Sequence, residues 1–313
     1  MPVSFTLWFA FIAVVLIMLM VDLMVFHRTP HAVKMLEAAI WSVVWIVLAL
    51  AFNAGVYFEL GKEAGFKFLT GYIIEKSLSM DNLFVFLLIF RYFKVPLEYQ
   101  HKVLFWGILG ALIFRALFIA TGVSLIQYVD WTIYVLGAFL VISGVKLAFE
   151  QDREIHPEKN LGIRFFRAFF QVKPDYSGDR FFIMEEGRRF ATPLFVTLIV
   201  LETTDIVFAT DSIPAILGIT VDPFLVYSSN IFAILGLRAL YFVLAGMMQI
   251  FRFLHLGLSA ILVFVGAKML LGKIIEIPVE LELAIVMGIL AVSVAVSLLF
   301  PKNKRMGSAW PDS

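Results

Sequence analysis

Acidic side chains stand inside stretches of this sequence that are otherwise apolar. Glu75 and Asp81 lie in YIIEKSLSMDNLFVFLLIF, and Asp205 and Asp211 lie in LETTDIVFATDSIPAI. A charge at the centre of a bilayer costs about 2.5–3.5 kcal/mol on insertion scales, and about 10 kcal/mol or more in simulations of an isolated helix. Carboxylate and amide oxygens are the ligands that hard divalent cations such as Mn²⁺, Mg²⁺ and Ca²⁺ prefer. The two stretches therefore predict a cation site within a membrane.

The spacing of the polar residues decides which of them can share one helix face. Glu75, Ser79 and Asn82 follow one another at i, i+4 and i+7 and lie on one face, whereas Asp81 needs a break in the helix to join them. In the second stretch Pro214 supplies a cause for such a break, because it cannot donate a backbone hydrogen bond. The acids that we expect in membrane spans are Glu75, Asp81, Glu202, Asp205 and Asp211, with Asp22 near the inner end of the first apolar run.

A purely structural role is the alternative for these acids. Any of them could pair with Arg115 or Arg238 and only hold helices together, and Asp22 could face cytoplasmic water. We expect the two arginines either to balance the acids while the cation is absent or only to stabilise packing. The sequence leaves both interpretations open.

The composition defines the class of protein. The chain has 313 residues, of which 61% are hydrophobic and 16% are charged, whereas about a quarter of the residues in a soluble domain are charged. The absence of cysteine excludes disulfides, thiolate metal sites and cysteine nucleophiles. The formal net charge of +1 indicates no nucleic-acid partner. The composition is typical of a polytopic membrane protein, whose surroundings are a lipid bilayer.

The apolar runs predict an all-α fold in a single transmembrane domain, residues 1–313. A membrane span requires about 20 mostly apolar residues. The first run, FTLWFAFIAVVLIMLMVDLMVF, has no basic segment before it and no small-residue cleavage site, so we interpret it as a retained helix and not a signal peptide. The nine expected spans cover residues 5–26, 37–58, 69–91, 102–123, 131–149, 191–217, 224–247, 254–272 and 279–300.

The lysines and arginines of the connections predict the orientation. Most of them lie after spans one, three, five and seven and in the C-terminal tail, so these parts should be cytoplasmic and the N-terminus should lie outside a bacterial inner membrane. One connection is long, the predicted cytoplasmic loop at 150–190. Its segment NLGIRFFRAFFQV, residues 160–172, is either a basic amphipathic helix on the membrane surface or an ordered linker.

Polar residues recur in the same order along two sets of three spans, residues 69–149 and 191–272. Because three is an odd number, the second set should be inverted relative to the first, and inverted repeats build alternating-access transporters with a site near the midplane. The lysines near span ends should extend to the interface. The predicted correspondences are Glu75 with Asp205, Asp81 with Asp211, Asn82 with Ser212, Arg115 with Arg238 and Lys146 with Lys268, which makes Ser212 a further candidate ligand.

Three motifs carry a resemblance to a known family. The runs EKSLSMDNLFVF, LETTDIVFATDSIPAI and FAILGLRALYF are similar to signatures of the TerC family of integral membrane proteins, and the likeness covers nearly the whole chain and is closest to the Alx branch. The family is similar to the LysE group of exporters. The resemblance implies export of Mn²⁺ from the cytoplasm, association with other membrane proteins and a connection with tellurite resistance. The metal ligands that it implies are Glu75, Asp81, Asn82, Asp205 and Asp211.

The leading hypothesis is therefore an inner-membrane exporter of a divalent metal ion, Mn²⁺, that works by alternating access with proton coupling. We expect no prosthetic group, because Mn²⁺ would be the transported ion. A non-transporting scaffold in a tellurite or metal-stress complex, with the 150–190 loop as its docking surface, is the alternative. Paired aspartates can also hydrolyse peptides, but the sequence lacks G-x-G-D, H-E-x-x-H and G-x-S-x-G, so we do not expect an enzyme.

Overall fold

The computed structural model describes residues 5–26, 35–129, 131–149, 172–173, 175–185, 187–247, 253–272 and 274–299. These ranges contain ten helices and one β-hairpin. The helices are α1 (Phe5–Phe26), α2 (Met35–Leu60), α3 (Lys62–Tyr92), α4 (Leu97–Tyr128), α5 (Thr132–Phe149), α6 (Pro193–Leu217), α7 (Pro223–Leu235), α8 (Leu237–Met247), α9 (Leu254–Leu271) and α10 (Val279–Leu299), and the strands are β1 (Phe182–Glu185) and β2 (Arg188–Ala191).

Each predicted span coincides with a helix, except that 224–247 forms the pair α7 and α8, bent by 42°. By length and apolar composition, six of the described helices can cross a membrane, or seven if the bent pair counts as one span. Helix α3 falls outside this group because Glu75, Lys76 and Asp81 stand in its middle, and α1 has only a short apolar part, Leu7–Val21. The prediction of an all-α polytopic membrane protein is confirmed.

Proline and aspartate define where several helices begin. Pro193 and Pro223 occupy the first turn of α6 and α7, where the missing N–H has no partner in any helix. Asp222 caps α7, since its Oδ1 accepts hydrogen bonds from the amides of Phe224 at 2.9 Å and Leu225 at 3.3 Å. Pro214 lies inside α6, and the helix continues past it to Leu217. The break expected at Pro214 is therefore absent from the described helix, while the bend lies between α7 and α8.

Helices α5 and α9 approach each other closely through small residues. A Cβ atom on Gly266 would lie 2.6 Å from the carbonyl oxygen of Gly137, so no larger side chain fits there without displacing a backbone. Ser259 Oγ donates a hydrogen bond of 2.6 Å to the carbonyl of Gly144. Small residues permit this contact in a membrane, where van der Waals packing and interhelical hydrogen bonds hold helices together.

The helices that the repeat makes equivalent also have equivalent neighbours. Helix α4 packs against α6 as α7 packs against α3, and α5 packs against α6 as α9 packs against α3. Helix α5 contacts its own counterpart α9, and α3 contacts α6. This pattern is compatible with the three-helix repeat, whose inversion stays a prediction.

The last part of the 150–190 loop joins the beginning of α6 to the turn between α3 and α4. Tyr176 donates a hydrogen bond of 2.7 Å to the carbonyl of Phe93, and Lys102 Nζ lies 2.8 Å from Asp179 Oδ2. The hydrogen bond from Lys102 lowers the pKa of Asp179 below its ordinary value. Strands β1 and β2 pair in antiparallel fashion between this contact and α6. The segment 160–171, with its predicted surface helix, lies outside the described residues.

Candidate functional site

Arg115 on α4 stands at the centre of the buried polar residues. It is 1% exposed, and its guanidinium reaches acids on two other helices. Nη1 donates to Glu75 Oε1 on α3, while Nη2 and Nε donate to the two carboxylate oxygens of Asp205 on α6 at 3.2 and 3.3 Å. The planar guanidinium suits this two-pronged contact, which a lysine could not make. Glu75 and Asp205 are the acids that the predicted repeat makes equivalent, so one arginine joins the two predicted repeats.

Neutral oxygen atoms surround the ion cluster formed by Glu75, Arg115 and Asp205. Ser79 Oγ donates to Glu75 Oε1 at 3.3 Å, one turn further along α3. Arg115 Nη1 also lies 3.4 Å from Ser212 Oγ on α6 and 3.5 Å from Asn230 Oδ1 on α7. The cluster therefore lies where α3, α4, α6 and α7 meet.

The cluster has more negative than positive charge, because two carboxylates face one guanidinium. Glu75 is fully buried and Asp205 is 5% exposed, so water screens little of this imbalance. Oε2 of Glu75 and Nδ2 of Asn230 are buried and have no hydrogen-bond partner in the described structure. Buried polar atoms are nearly always paired, so an unpaired carboxylate oxygen beside a surplus negative charge is a position that a cation could fill.

Lys76, the next residue along α3, contacts the bend between α7 and α8. Its Nζ donates to the carbonyl of Ala233 at 3.1 Å, and a Cβ atom on Gly236 would lie 2.7 Å from that nitrogen. The ammonium group thus lies at the C-terminal end of α7, where the helix dipole and unpaired carbonyls favour a positive charge. Neighbouring residues of α3 therefore contact both the ion cluster and the helix bend.

The structure does not bring all predicted ligands to one point. Asp81 and Asp211 are partly buried and Asn82 is buried, but none of the three is a hydrogen-bond partner of Arg115. Among the residues that the structure describes, no three acidic or histidine side chains form a group that could hold a metal ion. Of the five predicted ligands, Glu75 and Asp205 are the two that the structure brings to Arg115.

The remaining candidates lie around this centre. The Glu202 carboxylate packs directly on Gly110 of α4, where a Cβ atom would overlap it, and its buried Oε2 has no hydrogen-bond partner among the described residues. Arg238 on α8 is 1% exposed. Asp22 belongs to α1, but its side chain lies outside the described part.

Sequence reasoning did not find Glu282, the partner of Lys268. Lys268 Nζ lies 2.8 and 2.7 Å from the two carboxylate oxygens of Glu282, which is fully buried, while the extension of Lys268 to the interface stays a prediction. The same amine donates to the carbonyl of Gly218 at 3.2 Å. A signal existed, since Glu282 is an acid in the first turn of an apolar span. Lys146, its predicted counterpart, is exposed.

A narrow apolar cleft lies next to the ion cluster, with a cavity volume of about 10 Å³, which is room for about one water molecule. Its lining residues lie between the cluster and the ends of α3, α4 and α6 that the charge bias predicts to be cytoplasmic. Asp205 is the one charged residue of the described lining, which consists of Leu83, Phe86, Leu104, Gly107, Ile108, Ala111, Leu201, Asp205, Ile234 and Leu237.

Comparison with known proteins agrees with the motifs. A membrane protein of Myxococcus xanthus described as uncharacterised is 50% identical over 303 residues, covering 97% of this chain and 95% of its own. The protein of Escherichia coli strain K12 that is provisionally named a membrane-bound redox modulator, Alx, is 44% identical over 300 residues, covering 93% and 94%. An uncharacterised membrane protein of Rickettsia bellii is 35% identical over 292 residues, covering 93% and 97%.

No solved structure matches this chain. The model of the family described as integral membrane protein TerC matches residues 60–305, which include α3 to α10 and the whole ion cluster. The chain therefore belongs to the TerC family of integral membrane proteins.

Proposed function

We propose that this protein exports a divalent cation, Mn²⁺, from the cytoplasm across the inner membrane by alternating access. The observation that carries the proposal is the bridge from Arg115 to Glu75 and Asp205. Two acids from equivalent positions of two repeats converge on one buried positive charge. A site at the junction of repeats is where alternating-access carriers bind their ions.

The Arg115 guanidinium takes the place that a metal cation would fill. Two ionised carboxylates cannot stay buried together without a positive partner, because the energy of desolvation is large. When a divalent ion enters between Glu75 and Asp205, Arg115 has to withdraw from at least one of them. The arginine thus stabilises the protein without its cargo and leaves a carboxylate pair for the ion.

The oxygen atoms around the cluster fit a hard cation. Glu75 and Asp205 supply carboxylates, and Ser79, Ser212 and Asn230 supply neutral oxygens within a single layer of side chains. Mn²⁺ accepts such ligands, and thiolates are absent from the sequence. The predicted ligands Asp81, Asn82 and Asp211 follow on the same helices α3 and α6, and would join when those helices move relative to α4.

A route from the cytoplasm would run through the cleft beside Asp205, which would have to widen beyond its room for about one water molecule. The cleft lies on the side of the cluster that the charge bias predicts to face inward, and it ends at the acid that the ion would bind. The narrow apolar lining offers an ion no ligands. An ion would therefore stay in the cleft only briefly and would be bound by the carboxylates of the cluster.

Transport by the purified protein in liposomes tests the proposal, with a manganese-quenched dye inside the vesicles. We expect Glu75→Gln and Asp205→Asn to lower the initial rate of Mn²⁺ entry by about tenfold or more, because each removes a charged ligand. Glu280→Gln is the matched control, since Glu280 pairs with Lys62 on the surface, where the two side chains are 54% and 59% exposed. The control should transport at the wild-type rate.

Two outcomes would contradict the proposal. Well-folded Glu75→Gln and Asp205→Asn proteins that move Mn²⁺ as fast as the wild type would assign the acids a structural role. If the wild-type protein moves no Mn²⁺, the scaffold hypothesis is the one that remains, because a scaffold requires a folded protein but does not require transport. Asp81→Asn and Asp211→Asn in the same assay test whether the other predicted acids bind the ion.

The name of the Escherichia coli relative raises redox modulation as a second function. In this chain that function cannot use thiol exchange, because the sequence has no cysteine. A redox effect would then follow from the exported metal or from a partner protein. A cellular redox probe that responds to wild type but not to Glu75→Gln would connect the effect with transport, and an equal response would separate the two.

A further inference from the structure

Three helix ends meet at Lys268, and one of them, the end of α6 before Gly218, lies on the far side of Ser212 from Asp205 along the helix. The Lys268 amine binds both carboxylate oxygens of Glu282 at the beginning of α10 and the carbonyl of Gly218 just after α6. The charge bias predicts that these ends face outward. The carboxylate is fully buried, so the contact is part of the packed interior and not a surface pair.

Gly218 brings the end of α6 unusually close to α9. A Cβ atom at this position would lie 2.5 Å from Val265 Cγ1 and 2.9 Å from Met269 Sδ. Below it, Ala215 is fully buried in the same apolar cluster as Val265, Met269 and Val286 of α10. The outer end of α6, which carries Asp205 nearer its middle, is therefore closed by both packing and charge.

The two predicted repeats differ at this lysine. Lys146, the counterpart of Lys268, is exposed and has no ion-pair partner among residues 131–149 or the other described ranges. The partner of Lys268 comes from α10, which lies outside both repeats. Among the described residues, the contact at the predicted outer end is therefore not reproduced at Lys146, and the narrow cleft lies on the side of the cluster that the charge bias predicts to be cytoplasmic.

We infer that Lys268 and Glu282 are positioning residues that hold the outer end closed, and that their separation opens the path by which the ion leaves. The inference rests on the proposed function, because an exporter must release its ion on this side. A buried pair suits this role, since the two charges attract strongly while packed but gain hydration once apart. The carbonyl of Gly218 joins the pair to α6, so its separation frees the helix that carries Asp205.

Labelling of a single cysteine tests the closed end, because the natural sequence contains none. Ala215→Cys places a thiol beneath the contact, and a membrane-impermeant methanethiosulfonate reagent is added from outside to intact spheroplasts. We expect slow labelling in the otherwise wild-type protein and labelling about tenfold faster or more when Glu282→Gln is added, as the open population rises. Glu280→Gln, an acid in the same turn of α10 with an exposed partner, should leave the rate unchanged.

Equal labelling rates in the Glu282→Gln and Glu280→Gln proteins would overturn the inference. If Glu282→Gln does not fold, the pair Lys268→Cys with Glu282→Cys decides the matter after bridging by a short bis-methanethiosulfonate, which joins the two cysteines through disulfides that a reductant can cleave. Bridging should stop Mn²⁺ transport and a reductant should restore it, whereas full transport by the bridged protein would also overturn the inference. The labelling experiment requires no transport, so it can succeed or fail independently of the proposed function.

Discussion

Two ionic contacts in the described part of the chain, each with a buried carboxylate, differ in how completely their charges are paired. At Lys268 one ammonium faces one carboxylate, and both oxygens of Glu282 are bound. At Arg115 one guanidinium faces two carboxylates, and Oε2 of Glu75 has no partner in the described structure. A neutral and saturated pair is suited to closing a path, whereas a cluster with surplus negative charge and an unpaired oxygen is suited to accepting a cation.

Position in the fold explains the difference further. Glu282 stands in the first turn of α10, where the helix dipole favours a negative charge. Glu75 and Asp205 lie within the middle of α3 and α6, where no helix end assists them. Their burial therefore depends almost entirely on Arg115, and this dependence should appear in stability.

Loss of Arg115 should produce the largest effect. Arg115→Gln leaves two buried carboxylates without their cation, and breaking a buried ion pair costs about 3–5 kcal/mol. We expect a strongly lowered melting temperature in detergent and a larger stabilisation by added Mn²⁺ than in the wild type. Lys268→Met is the comparison, because it should lower stability while leaving the stabilisation by Mn²⁺ at the wild-type level. Equal responses of the two variants to Mn²⁺ would contradict the distinction drawn between the contacts.

Removal of Ser79 Oγ should have a smaller effect confined to the ion cluster. Ser79→Ala deletes the hydrogen bond to Glu75, and such a bond contributes about 0.5–1.5 kcal/mol. We expect a modestly lower melting temperature and weaker Mn²⁺ binding, measured by isothermal titration calorimetry on purified protein. Ser77→Ala is the matched control, because Ser77 lies on the same helix and its hydroxyl donates to the carbonyl of Ile73 instead of to a residue of the ion cluster. If Ser79→Ala leaves the Mn²⁺ affinity unchanged, the hydroxyl of Ser79 is not a ligand of the ion.

The exposed pair of Lys102 and Asp179 should show the smallest effect and a defined pH dependence. Because the hydrogen bond from Lys102 lowers the pKa of Asp179, its stabilisation is complete above the ordinary aspartate pKa and is lost as pH falls through the lowered value. The protection factors of the amides at the Phe93 turn, which correct for the intrinsic pH dependence of hydrogen exchange, should therefore fall slightly at acidic pH, and less in Asp179→Asn. Solvent screens this pair, since Asp179 is 54% exposed. A loss of stability as large as that of Arg115→Gln would contradict the contrast between buried and surface contacts.

Much of the architecture could be predicted because a bilayer imposes simple rules on a sequence. Apolar runs of about 20 residues must be helical to pair their backbone groups, so the nine predicted spans coincide with described helices or with the bent pair. The position of the bend was harder to predict from the sequence. Pro214 indicated a break in α6, yet the bend lies at Gly236, where Lys76 contacts the end of α7.

The order of residues alone establishes that this is a polytopic membrane protein and that Glu75 and Asp205 need a compensating cation, because an unpaired charge within an apolar span is too costly to bury. Packing of the helices was needed to show that the compensating cation is the guanidinium of Arg115 and that Glu75 and Asp205 share it. Arg115 lies 40 residues from Glu75 and 90 from Asp205 along the chain. Glu282 likewise became the partner of Lys268 through packing. Such contacts depend on the rotation and depth of each helix against its neighbours, and helical periodicity within one span carries no information about either.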